Sequence, residues 1–174
     1  MSSLIGQVSY SLSSSPASSG HPATDAFSTS TAYFETLTSP YFWQISFSKP
    51  VTITSYTIGG GSTWGSTPTS WEISYSNDNS TFTTLQTNSV STLKGQKYTF
   101  QLNRQITCIH FRITGKTTTS GDTWLAFNQF DCFGTVGLVT PKRTRIQCTC
   151  NVAVIRSKLI SQELLAIMTF FISS

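Results

Sequence analysis

The stretch Phe42-Trp43-Gln44-Ile45-Ser46-Phe47 decides how the chain folds. Trp43, Ile45 and Phe47 point one way and Gln44 and Ser46 the other, which is the period of a strand with one buried face. The alternation returns in Trp71, Ile73 and Tyr75 against Glu72, Ser74 and Ser76. Tyr98, Phe100 and Leu102 alternate with Thr99 and Gln101, and Ile109, Phe111 and Ile113 alternate with His110 and Arg112. Val51 and Ile53 share a phase that Tyr56 and Ile58 break, so a bulge is predicted near Thr54-Ser55. Asn77-Asp78-Asn79-Ser80 supplies a hairpin turn between Tyr75 and Phe82. Gly59-Gly60-Gly61 opens a longer loop that runs to Pro68, and Ser120-Gly121-Asp122 precedes a last body strand over 124–133. No segment of residues 1–134 has a helical period. Short strands at this spacing predict an all-β, antiparallel β-sandwich or jelly roll, with Trp43, Trp71 and Trp124 in its core.

Composition agrees. The 174 residues suit one domain with a full core, and aromatics reach 13% while charged residues make up only 10%. That many Phe, Tyr and Trp excludes disorder for most of the length. Residues 1–134 hold six basic side chains (Lys49, Lys94, Lys97, Arg104, Arg112, Lys116) and six acidic ones (Asp25, Glu35, Glu72, Asp78, Asp122, Asp131). The net +4 therefore comes from residues 135–174, where Lys142, Arg143, Arg145, Arg156 and Lys158 face one acid, Glu163. A body without net charge has no electrostatic footprint for nucleic acid. The tail is basic, then nearly all apolar over 159–172, with room for one helix. Fourteen residues fall short of a membrane span of about twenty. Three readings of the tail stay open: contact with an anionic membrane, docking on the sandwich, or no packing at all.

Residues 2–20 lack the basic start and apolar stretch of a secretory leader. Cys108, Cys132, Cys148 and Cys150 all lie in the second half and read as reduced thiols; one CxC pair is a weak metal signal. An enzyme needs a nucleophile, base or metal within reach of one another. His21 precedes a proline in a loop, and His110 falls on the polar, solvent-facing side of a strand. The acids show no paired or metal-binding spacing. A non-enzyme is expected, with no metal site and no cofactor.

Taken together, Phe42–Val51, the stretch Pro68-Thr69-Ser70-Trp71-Glu72-Ile73-Ser74-Tyr75-Ser76-Asn77-Asp78, Phe111-Arg112-Ile113-Thr114 and Ser120–Phe130 resemble the coagulation factor V/VIII type C, or discoidin, domain of the galactose-binding-like superfamily. Pro22-Ala23-Thr24-Asp25-Ala26-Phe27 is similar to that family's early segment. The resemblance covers about three quarters of the chain. It implies an eight-stranded jelly roll over residues 1–134 that binds glycans, phospholipid head groups or protein partners through loops at one end. The family habit is extracellular or cell-surface. Secreted members usually staple their ends with a disulfide; Cys132 resembles one partner and the other is absent. The positions of the family's calcium carboxylates look like Ser28 and Gln129, which leaves Asp25 as a weak calcium candidate.

The best ligand reading is carbohydrate. A sugar site needs an aromatic face beside fixed hydrogen-bonding groups. Trp64 stands in a Gly-rich loop, where it either meets a ligand or folds back over the sandwich end. Tyr33 and Glu35 occupy the segment that resembles the family's first binding loop, with Phe34 expected in the core. Glu35 is the expected hydroxyl acceptor, and Asp122 is either a second acceptor or a turn cap. The alternatives are a protein-interaction, adhesion or assembly module, and a phospholipid-surface binder using loop tips or the tail.

Overall fold

The computed structural model of the protein describes residues 2–28, 31–36, 38–61 and 67–137. The described chain is β1 (Ser2–Ser3), β2 (Tyr10–Ser14), a 3-10 turn (Ala23–Phe27), β3 (Phe34–Thr36), β4 (Phe42–Gly59), β5 (Pro68–Ser76), β6 (Thr83–Ser89), β7 (Lys97–Thr118), β8 (Leu125–Phe127) and β9 (Gln129–Val136). Every strand pairing is antiparallel. The seven-stranded sheet runs β1-β9-β4-β7-β5-β6, with β2 also on β4, and β3 pairs with β8 separately.

This is a sandwich made from one sheet that doubles back. At 18 residues, β4 would span about 60 Å if straight. Its two ends are instead joined across one end of the molecule by the short segment 124–128. Asn128 N–H donates to the Gly59 carbonyl, and a Cβ on Gly115 would sit 2.5 Å from the Trp124 carbonyl oxygen. Gly115 N–H in turn donates to the Tyr41 carbonyl, just before β4 starts. The bend falls between Ser46 and Val51, where β7 advances only from His110 to Cys108. Lys49-Pro50 lies in that gap, and proline lacks the N–H a ladder requires. The predicted bulge is present as a register shift between Ile53 and Ser55.

The inward faces meet in an aromatic core. Trp43 lies tilted against Phe130 at 4.7 Å and edge-on to Phe127 at 5.3 Å, and Tyr56 lies 5.8 Å from Phe111. Trp43 Nε1 donates to the Ala23 carbonyl at 3.0 Å, which fastens the 3-10 turn to the sheet. Trp71 Nε1 donates to the Tyr56 hydroxyl at 2.7 Å, so both buried polar tips are satisfied.

Five expectations need correction. In β5 the alternation slips at a register shift between Ile73 and Ser74, so Ser74 and Ser76 are buried and Tyr75 is half-buried. Trp124 is half-buried, because it precedes β8 in the segment crossing the sandwich end and does not lie in a strand. The expected last strand is two strands, β8 and β9, parted at Asn128, and β9 continues past Gly134 to Val136. In β7 it is Cys108 that is fully buried and Ile109 that is half-buried, since the bend shifts the alternation there. His110 does not face solvent freely: it is half-buried, with Nδ1 2.8 Å from Ser46 Oγ on β4. The tail from 138 onward, including the expected helix, and Trp64 lie outside the described residues.

Candidate functional site

The doubling-back of β4 and β7 collects one set of loops at one end. Gly60 N–H donates to the Gln96 carbonyl, Leu93 N–H to Thr67 Oγ1 at 3.2 Å, and Thr67 N–H to Thr119 Oγ1 at 3.1 Å. The loop ends flanking residues 62–66, the 90–96 loop and the 118–122 turn are thus stitched together, with the 124–128 crossing beside them. The opposite end holds Ser2 against Gly134, Val51 against Val136, and Gly137 N–H on the Pro50 carbonyl.

Tyr33 and Glu35 belong to the loop end through β3. Phe34 pairs with Phe127, Glu35 with Ala126 and Thr36 with Leu125. Phe34 and Thr36 are fully buried, so Glu35, between them, turns outward, and Tyr33 shares its side of the strand. Both are half-buried. A partner that sequence reasoning left as a loop residue joins them. The His21 ring stacks on Tyr33 at 4.1 Å and 26°, its Nδ1 lies 3.1 Å from the Tyr33 carbonyl oxygen, and the Glu35 N–H donates to the His21 carbonyl. A carbonyl only accepts, so Nδ1 carries the proton and Nε2 is left as the acceptor in the neutral ring. Burial, and then the Glu35 charge, push the Tyr33 phenol up. The signal available for His21 was the His-Pro dipeptide, which carries no information about contact with a ring twelve positions away.

Asp122 sits in the turn and serves it: Oδ2 accepts from Ser120 Oγ at 2.9 Å and its carbonyl accepts from Thr118 N–H at 3.0 Å. It is exposed at the same end, so its remaining carboxylate surface is available there. Trp124, two residues on, is half-buried in the crossing segment at this end. Sequence reading missed it because an indole in an apolar run looks like core whether or not the run is a strand.

Asp25 lies in the 3-10 turn, where its carbonyl accepts from Ser28 N–H. One carboxylate with a hydroxyl at Ser28 and an amide at Gln129 does not match the charged oxygen set that calcium prefers. No group of three or more His, Cys, Asp or Glu among the described residues is placed to hold a metal. His110 lies on the outer face of the sheet beside Arg112, whose guanidinium is held between Phe82 (3.5 Å) and Phe42 (4.4 Å) and donates from Nε and Nη2 to Gln44 Oε1. Burial, chiefly, lowers the His110 pKa; the Asp78 charge opposes this and Arg112 adds to it. The cluster pins the β5–β6 turn to the sheet.

A doubled-back antiparallel jelly roll, with its loops gathered at one end and residues 2 and 137 at the other, is a discoidin-type β-sandwich. The chain belongs to the F5/8 type C domain family, whose model matches residues 10–130. No curated protein matches it by sequence. Among solved structures it is similar to the CBM32 of AlyQ, in complex with 4,5-unsaturated mannuronic acid: TM-score 0.61, 14% identity, covering 71% of this chain and 93% of that one. It is also similar to CpGH89CBM32-5 from Clostridium perfringens, in complex with GalNAc-β-1,3-galactose: TM-score 0.61, 16% identity, covering 76% of this chain and 100% of that one. The likeness to CpGH89 of Clostridium perfringens, in complex with GlcNAc-α-1,4-galactose, has a TM-score of 0.62 at 12% identity and covers 74% of this chain. This chain spans only 14% of that enzyme's length.

Proposed function

We propose that this protein is a non-catalytic carbohydrate-binding module that takes its glycan at the loop end, with Tyr33, Glu35, Asp122 and Trp64 as ligand contacts and His21 and Trp124 beside them. The observation that carries this reading is the stacked His21–Tyr33 pair next to an outward carboxylate, on a fold shared with CBM32 modules. Sugars are held by an aromatic face plus a few oriented acceptors, and these groups supply both. Binding at this end needs no calcium.

A glycan array of the full chain tests it, with Glu35→Gln, Trp64→Ala and Asp122→Asn alongside and a parallel run in chelator. Specific spots that Glu35→Gln weakens, and that chelator leaves unchanged, support the proposal. Equal binding by Trp64→Ala and wild type removes Trp64 from the site. A blank array, with a stable complex to a protein partner in size-exclusion chromatography, overturns the glycan reading in favour of an assembly module.

A further inference from the structure

The glycan reading names a site without naming the charge of its ligand. Glu35 is half-buried, yet among the described residues its carboxylate takes part in no hydrogen bond and no ion pair; the ion pair present is Lys116 with Glu72, at 3.3 Å. The Glu35 charge acts on the neighbouring Tyr33 phenol. A carboxylate with no counter-charge on the chain is open to a ligand that brings a cation. The surroundings suit a cation. Glu35 accepts only, His21 offers Nε2 as an acceptor in its neutral ring because Nδ1 is committed to the Tyr33 carbonyl, and the Tyr33 ring is of the kind whose π face attracts positive charge.

Resting on the glycan reading, we infer that the sugar recognised at Tyr33, Glu35 and His21 is an amino sugar with a free ammonium group, taken in preference to its N-acetyl form and to uronic acids. An ammonium has three N–H donors and no acceptor, which complements a site made of acceptors. A uronate would place two carboxylates together, which repels.

The experiment is calorimetric titration of the full chain, at low salt and about pH 7, where an amine with a pKa of about 7.7–8 is still mostly protonated and an ordinary imidazole is mostly neutral. The probes are a hexosamine, its N-acetyl derivative and the corresponding hexuronic acid, in both gluco and galacto series. The hexosamine is expected to bind about tenfold more tightly than the N-acetyl sugar, as a charge-assisted hydrogen bond provides. No uronate binding is expected. Glu35→Gln should abolish the difference between amine and N-acetyl sugar while its melting temperature stays that of the wild type. An N-acetyl sugar that binds as tightly as the amine, or a uronate that binds at all comparably, overturns this inference and leaves the glycan reading standing. Silence with every probe, together with a blank array, overturns both.

Discussion

Trp71 shows what one side chain does in this fold. It is completely buried, packs edge-on to Phe100 at 5.5 Å, and gives its indole N–H to the Tyr56 hydroxyl, which also accepts from Asn88 Nδ2. Burial pushes the Tyr56 phenol up, since its anion would have no water around it. Trp71→Ala removes a large ring and leaves the Tyr56 hydroxyl one donor short, and it should cost about 3–5 kcal/mol. Denaturant unfolding followed by fluorescence measures this, and a melt within a few degrees of wild type would contradict it. The alternation of residues 71–76 was enough to place Trp71 inward, because burial on a strand is a matter of parity. Parity says nothing about Trp124, whose segment is not paired at that position.

At the scale of elements, the long strands β4 and β7 and the β5–β6 turn carry the consequences. Gly134 lies on β9 where β4 passes so closely that an added Cβ would meet the Thr52 carbonyl oxygen at 1.8 Å. Backbone cannot yield as a side-chain tip does. Gly134→Ala should therefore break the β4–β9 ladder locally and lower stability by about 2–4 kcal/mol, read by chemical denaturation. In the turn, the Asp78 carboxylate accepts from Thr81 N–H and Ser80 N–H, both at 2.9 Å, and from Ser76 Oγ at 2.8 Å. Those bonds hold its pKa well below the usual carboxylate range. A carboxyl whose folded value lies below its unfolded value contributes stability that is complete above about pH 4 and fades as pH falls further. Asp78→Asn should lower the melting temperature above about pH 4, where the wild type has the full contribution, and flatten the acid limb below it, in a series of melts from neutral to acidic pH. The turn itself was legible in Asn77-Asp78-Asn79-Ser80. Its anchorage was not: Asn79 Oδ1 accepts from Gln44 Nε2, and Phe82 covers Arg112, across pairings no local pattern encodes.

For the molecule as a whole, the thiols report integrity. Cys108 and Cys132 are free and fully buried. Burial pushes the Cys108 thiol up to about 12. Burial pushes Cys132 up as well, with the Asp131 charge and Cys108 adding to it. A thiol reagent attacks the thiolate, so neither should react in the folded protein. With Cys148 and Cys150 replaced by serine, labelling near neutral pH should be negligible in water and should follow global unfolding in denaturant. Rapid labelling of the folded chain would contradict the described core.

The sequence by itself determined which side chains face inward where the strands run without a bulge, as at Trp43, Trp71 and Phe111, where the chain turns, that the body carries no net charge, and the family. Those properties are local or additive, and periodicity, turn chemistry and residue counts hold them. Only the tertiary structure decided where β4 folds over, that His21 meets Tyr33 beside Glu35, and that Trp124 is half-buried in the crossing before β8. Each depends on which distant segments touch, and strand parity is blind to partners. The candidate site was thus half legible: Glu35 and Tyr33 stood out through resemblance to a binding loop. The unpaired state of the Glu35 carboxylate, on which the ligand's charge turns, appears only once every neighbour has its place.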